Sequence, residues 1–253
     1  MNPISISLAV VAVVMGGAML GGYVRQRLPK HHLEGDTRDI VRAGIGLLAT
    51  LSALVLGLII ASAKNSFDTK TEEVQTAAVK LLHLDRSLRQ LGAAGENARQ
   101  ELVQMVRMRV DQVWAQRDPM AIATKSFDEK PNLETLQVAI RAIPPRDDAQ
   151  RAAVAKALQA SDELAQVRAL VIAQRGSGII TPLLIVLVFW FTIITAGLNL
   201  FAPRNGTTLA FNLLCALSIA SAIFLILEMD QSFGGVIHVS DAPLRAALAQ
   251  LAR

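Results

Sequence analysis

The segment that most constrains this chain is an uncharged stretch over residues 43–63, with charged residues crowded at both of its ends. Its 21 residues match the length of about 20 apolar residues that a helix needs to cross the hydrocarbon core of a bilayer. Three further uncharged runs, over residues 1–24, 176–203 and 205–227, are also long enough. Because soluble cores are rarely encoded as uncharged blocks of this length, the sequence predicts four transmembrane helices.

The composition also favours a membrane protein and excludes some functions. Hydrophobic residues make up 52% of the chain and charged residues 18%, below the roughly 25% that is typical of soluble domains. The net charge of +4 is modest and the charged loops mix both signs, so we predict no nucleic-acid partner. The single cysteine, Cys215, excludes an internal disulfide.

Small residues in the first two runs indicate close helix packing. The first run lacks a basic n-region and exceeds the apolar core of a signal peptide, so we interpret residues 3–23 as a retained membrane helix. Gly17 and Gly21 form a GxxxG pair, which is typical of helices that approach each other closely in lipid. In the second run small residues recur at every fourth position, and the opposite face is bulky, with Leu47, Leu51, Leu54 and Leu58. The small residues are Ala49, Ala53, Gly57 and Ala61.

Acidic residues mark the edges of the predicted spans. The first acids of the second helix suit a helix N-terminus, where carboxylates interact favourably with the dipole. Two acids follow directly after the fourth apolar run, and we expect them at a solvated membrane edge, since an acid deeper in the bilayer is costly. The membrane-edge acids are Asp36, Asp39, Asp68, Glu228 and Asp230.

The long charged segment between the second and third spans predicts a helical extramembrane domain. No proline or glycine interrupts residues 65–91, so the second membrane helix should continue beyond the bilayer. Apolar residues spaced by threes and fours predict further helices over residues 96–116, over residues 133–143 and from Asp147. The expected fold is an all-α integral membrane protein with four transmembrane helices and this domain inserted between the second and third.

The predicted domain boundaries follow from these segments. They are a first membrane hairpin (1–64), the helical domain (65–175), a second membrane hairpin (176–229), and a C-terminal segment with a short amphipathic helix (230–253).

No catalytic or metal-binding pattern is found in the sequence. It contains no zinc signature, no nucleotide-binding loop and no nucleophile–base pair. One acidic and histidine-containing loop lacks the spacing of a metal site, and adjacent histidines on solvated loops are common. We therefore predict no catalytic residue, no metal, no cofactor and no enzyme. The residues of that loop are His31, His32, Glu34 and Asp36.

Three sequence blocks give the chain a resemblance to a known family. They read HLEGDTRD over residues 32–39, LGLIIASAKNSFDT over residues 56–69, and DQSFGGVIHVSDAPL over residues 230–244. Together they resemble the bacterial bestrophin-like membrane proteins, a family of undetermined function that is distantly similar to true bestrophins. Gln231 and Ser232 depart from the pattern, since such proteins often carry Arg followed by Pro there.

The resemblance implies an architecture and partners. True bestrophins are pentameric anion channels with four membrane helices, a helical cytosolic domain between the second and third, and a pore lined by the second. It therefore implies a multi-pass homo-oligomer in the bacterial inner membrane with a cytoplasmic helical domain, and the bilayer and inorganic anions as partners. The aromatic neck motif of bestrophins is absent, since residues 43–63 contain no Phe, so no pore residue is carried over by motif.

Two functions from different classes remain open. The first is an anion-selective channel with the second helix lining the pore, because hydrophobic constrictions can gate by dewetting and basic rings favour anions. The second is a non-conducting membrane scaffold or sensor whose helical domain binds a partner. Lys and Arg counts in the loops do not decide the orientation. For the channel, the gate candidates are Leu51, Leu54 and Leu58, and the entrance charges are Arg38, Arg42 and Lys64.

Overall fold

The structure is a computed structural model that describes residues 2–29, 35–115, 132–173, 181–203 and 205–252. Within those ranges it contains eight α-helices and no strand. The first four helices are α1 (Pro3–Arg27), α2 (Asp36–Arg89), α3 (Glu96–Ala115), which follows a 3₁₀ turn at Gly92–Gly95, and α4 (Leu133–Arg141). The others are α5 (Asp148–Ala173), α6 (Thr181–Phe201), α7 (Gly206–Asp230) and α8 (Ala242–Leu251).

Four of the described helices are long and apolar enough to cross a membrane, namely α1, α2, α6 and α7. The predicted all-helical fold with four candidate spans is therefore confirmed.

The helix ends follow local chemistry. The Asn2 side chain accepts a hydrogen bond from the backbone N–H of Ile4, with Pro3 at the first helical position. At α4, Asn132 and Thr135 form a reciprocal capping box.

The chain divides into two compact units, which share α2. We call Met1–Asn65 with Gly178–Asp230 the membrane unit, and Ser66–Ser177 with Gln231–Arg253 the helical unit. In the membrane unit, α1 packs along α6 and α7. Its core consists mainly of small and β-branched side chains, with one leucine, and small side chains let helices approach closely. They are Val10 and Val14 of α1, Leu184 of α6, and Ala216, Ala220 and Ile223 of α7.

The helical unit has a core of large aliphatic side chains. Helices α2 to α5 contribute the regularly spaced apolar residues that the sequence marks. The C-terminal helix α8 joins the same core through Leu251, with Leu244 and Leu248 packed against it. Among the core residues, Leu84, Leu88, Leu102, Leu136 and Ile140 have no exposed surface.

The structure buries one acid that the sequence predicts at a solvated membrane edge. Glu228 is only 3% exposed, and it lies in the last turn of α7, which continues past the apolar run to Asp230. Its place relative to the membrane stays a prediction. Asp230 is partly buried, whereas Asp36, Asp39 and Asp68 are exposed.

Candidate functional site

The membrane-spanning half of α2 is largely uncovered within one chain. Only three of its residues between 43 and 63 are buried, and they are Ser52, Ile59 and Ala63. They lie on one side of the helix, since their spacing of seven and four residues returns to the same face. Ile45 lies on that side too and packs on Gly197 of α6, where an added Cβ would lie 2.7 Å from Ile45 Cδ1. One side of α2 therefore packs within its own chain, and the rest of its circumference does not.

The leucines that the sequence suggests as gates form a second row on α2. At about 100° per residue they fall within an arc of about 60°, roughly a third of a turn from the buried side. These three leucines and Leu47, which joins the row, are exposed within one chain, with Leu54 at 69% and Leu58 at 65%. Leu51 is 44% exposed and Leu47 is 66% exposed. This leucine row is apolar and faces away from the chain's own core.

The small residues of α2 form a third row. Ala49, Ala53, Gly57 and Ala61 are all exposed, and a Cβ added to Gly57 would meet nothing within 4 Å. The same helical geometry puts the basic residues at both ends of the span close to this row rather than to the leucine row. Arg42, Ala49, Ala53 and Lys64 fall within an arc of about 60°. Arg38, Arg42 and Lys64 are exposed.

The small-residue row and the leucine row thus carry different chemistry. A side made of leucines can form a dry constriction, whereas a side of small residues flanked by Arg42 and Lys64 leaves space and positive charge. The sequence predicts gate leucines and entrance charges as parts of one path. On the helix they lie on different sides. The residue spacing already determines these sides, but hydropathy does not show them.

The GxxxG pair of α1 lies against α6. A Cβ on Gly17 would be 2.5 Å from Cγ2 of Thr192, and a Cβ on Gly21 would be 2.0 Å from the carbonyl oxygen of Ala196. Thr195 Oγ1 also donates a hydrogen bond to the Val14 carbonyl oxygen at 3.4 Å. The glycines therefore let α1 and α6 approach within backbone contact.

Sequence reasoning missed a polar cluster in the helical unit. Asp85, 6% exposed, accepts hydrogen bonds at 2.7 Å from Nε of both Arg89 and Arg99. Both arginines also donate to carbonyl oxygens at the end of α8, those of Gln250 and Leu251. The sequence pattern that could have indicated this cluster is the position of Asp85 beside the apolar residues Leu84 and Leu88. That position places Asp85 at the border of the buried face of α2.

No group of three or more metal-ligating side chains occurs among the described residues. The predicted absence of a metal site at the first loop is not tested, since His31, His32 and Glu34 lie outside the described residues, and Asp36 is exposed.

Comparisons with known proteins give both a family and a fold. A family model described as the Bestrophin-like domain matches residues 12–244. Among solved structures, the chain is similar to a bacterial bestrophin homolog from Klebsiella pneumoniae that carries a point mutation. The identity is 13%, the TM-score is 0.66, and 97% of each chain is covered. None of the curated proteins matches the chain.

Proposed function

The chain belongs to the bestrophin-like family, and from that premise we propose that it is an oligomeric, anion-selective channel of the bacterial inner membrane, with α2 lining the conducting path. The observation that carries the proposal is that most of the membrane-spanning half of α2 is exposed within its own chain. A span with two exposed rows needs other copies of α2, lipid, or a water-filled path to face them.

Symmetry explains how one helix could build a path. In a ring of identical subunits, each residue of α2 that faces the axis repeats once per subunit and forms a ring. A ring of Leu54 or Leu58 would form an apolar constriction that can gate by dewetting. Rings of Arg38, Arg42 or Lys64 would raise the local anion concentration, because positive charge attracts anions to the mouth.

The two rows assign different roles to the same helix. If the leucine row faces the axis, the small row of Ala53 and Gly57 packs against a neighbouring subunit, where small side chains allow close approach. If the small row faces the axis, the path is wider and is continuous with Arg42 and Lys64. Substitutions at the neighbouring positions Leu54 and Ala53 can distinguish these two arrangements, because Leu54 belongs to the leucine row and Ala53 to the small row.

The test is conductance of the purified protein in a planar bilayer with a chloride gradient. We expect currents that reverse near the chloride potential. Leu54→Glu should change them if the leucine row faces the path, and Ala53→Glu if the small row does. Val138→Glu is the matched control, since Val138 is an exposed apolar residue of the helical unit. Silence from a protein shown to be inserted and oligomeric would overturn the channel.

A non-conducting scaffold or sensor is the second candidate, and one observation favours it. Helix α2 continues without interruption for 54 residues and contributes to both units. A single helix of about 80 Å, at 1.5 Å per residue, can pass a displacement from the membrane to the helical unit. This candidate gains support if no current is measured and the helical unit captures a specific partner.

We also infer that the helical unit is cytoplasmic. The support is the family resemblance and not the loop charges. Asp148, whose side chain is 93% exposed, offers a labelling position in a Cys215→Ala background. A membrane-impermeant maleimide should label Asp148→Cys only after the cells are opened. Labelling of intact spheroplasts would overturn this orientation.

A further inference from the structure

A cavity of about 450 Å³ lies in the membrane unit, between the second half of α1 and the segment that ends α6 and begins α7. Its volume falls in the range of roughly 300–1,000 Å³ that is usual for ligand sites. The α1 wall is apolar and includes Met15 and Met19. The opposite wall carries the carboxamides of Asn199 and Asn212. The cavity is therefore amphipathic, and none of the described residues that line it is charged.

The two carboxamides bind each other but leave one donor over. Nδ2 of Asn199 donates to the Thr195 carbonyl oxygen at 2.8 Å and to Oδ1 of Asn212 at 3.1 Å, which uses both of its N–H groups. Nδ2 of Asn212 donates to Oδ1 of Asn199 at 2.8 Å. The second N–H of Asn212 has no hydrogen-bond partner among the residues that the structure describes. A ligand with an acceptor and no donor would complete this wall, because the half-buried Asn212 still has one N–H to donate.

Positive charge stands next to the cavity. Nη1 of Arg25 donates to the carbonyl oxygen of Ala202, and Ala202 is itself a lining residue. Arg27 lies over the ring of Tyr23 at 5.3 Å, on another side of α1. Such basic and aromatic residues at the end of a span are typical of the boundary between the hydrocarbon core and the headgroups. No acidic residue occurs in residues 2–29 or 205–227 to offset these charges.

We propose that this cavity binds a glycerophospholipid from the surrounding leaflet. One acyl chain lies against Met15 and Met19, whose flexible thioethers adapt to an irregular apolar partner. An ester carbonyl, which accepts hydrogen bonds and donates none, takes the free N–H of Asn212. The phosphate then lies near Arg25. Phospholipid binding at this site does not require conduction, so the site can be tested independently of the proposed channel function.

The test counts phospholipid that stays bound to the purified full-length protein. The protein is reconstituted in vesicles of phosphatidylglycerol, extracted in a mild detergent, and weighed by native mass spectrometry. The test variant is Leu209→Trp, because Leu209 lines the cavity and is 52% exposed, so an indole can fill the space without displacing core. Leu214→Trp is the control, since Leu214 is on the same helix, is 62% exposed and does not line the cavity.

We expect the wild type and Leu214→Trp to retain phospholipid and Leu209→Trp to lose it. Added phosphatidylglycerol should also raise the melting temperature of the first two proteins and not of Leu209→Trp, because a ligand stabilises the state that binds it. Equal retention by Leu209→Trp and the wild type would overturn the site. So would an altered subunit number in Leu209→Trp with unchanged phospholipid, which would assign the cavity to a contact between subunits.

Discussion

Arg99 donates from Nε to Oδ1 of Asp85 at 2.7 Å, and its Nη2 donates to the carbonyl oxygen of Leu251 at the same distance. One guanidinium thus joins a buried carboxylate of α2 to the last residue of α8. The hydrogen bond that Arg99 donates to Asp85 raises the pKa of Arg99 above its ordinary value, against the opposing effect of desolvation. Because Arg89 repeats this arrangement with Gln250, Asp85 orients two cations that cap the end of α8.

Replacing Asp85 should destabilise the helical unit strongly. Asp85→Ala leaves Arg99, whose side chain is 16% exposed, without its buried counter-charge, and such losses cost about 3 kcal/mol. Thermal melting of the protein in detergent measures the change. Asp148→Ala is the control, since the Asp148–Arg151 pair is exposed and should contribute about 0.5 kcal/mol or less. Equal melting temperatures for the two variants would contradict this role of Asp85.

Replacing Gly21 should disrupt the packing of α1 on α6. In Gly21→Ala the new methyl would lie 2.0 Å from the Ala196 carbonyl oxygen, so the helices must separate. Overpacking of this kind costs roughly 1–3 kcal/mol. Gly16→Ala is the matched control, because a Cβ there meets nothing within 4 Å. The yield of monodisperse protein and its melting temperature should fall for Gly21→Ala alone, and a fall of the same size in Gly16→Ala would argue against the contact.

Trp114 should hold the segment that follows α7. Its Nε1 donates to the Val239 carbonyl oxygen at 2.8 Å, and its ring meets that of Phe233 edge to face at 5.7 Å. Trp114→Phe removes the hydrogen bond, which costs about 1 kcal/mol, and keeps an aromatic ring. We expect faster hydrogen exchange of the Val239 amide, which donates to the Ser232 carbonyl oxygen. Unchanged exchange there would show that other contacts hold this segment.

The Lys80–Glu163 pair should give the helical unit a small dependence on pH. The hydrogen bond that Lys80 Nζ donates at 2.7 Å lowers the pKa of Glu163 below its ordinary value of 4.5. A carboxyl with a lowered pKa contributes stability above its unfolded-state pKa and loses it as the pH falls through the folded-state value. Wild type should therefore melt slightly above Glu163→Gln at neutral pH and lose that difference in acid below pH 4.5. A melting-temperature difference between wild type and Glu163→Gln that persists or grows in acid would contradict this role of the pair.

Removing an entrance charge should reduce anion selectivity, if the chain conducts. Arg42 is exposed at the start of the span, and a charge close to a permeating ion contributes about 1 kcal/mol in water. Arg42→Gln should therefore lower the permeability ratio of chloride to sodium roughly five-fold. Arg86→Gln, an exposed change in the last turn of α2, serves as the control. Reversal potentials in a salt gradient report the ratio. Equal values for the wild type, Arg42→Gln and Arg86→Gln would show that Arg42 does not lie along the conducting path.

Much of the fold follows from the sequence because its determinants are local. Four uncharged runs specify four candidate spans, since only a helix satisfies its own backbone in lipid. The absence of proline and glycine after Lys64 predicts the continuation of α2, and the structure extends that helix to Arg89. The order of elements therefore needs no tertiary information.

What the tertiary structure decided is which sides of these helices are covered. Hydropathy cannot distinguish Gly21, where an added Cβ would collide with the Ala196 backbone, from Gly16, where it would meet nothing within 4 Å, because both are small residues in one apolar helix. It also placed Glu228 at a solvated edge, whereas the residue is buried. The physical reason is that periodicity records the preference of a side chain for lipid, protein or water. Whether that side meets a partner depends on neighbours distant in sequence, as Asp85 meets Arg99.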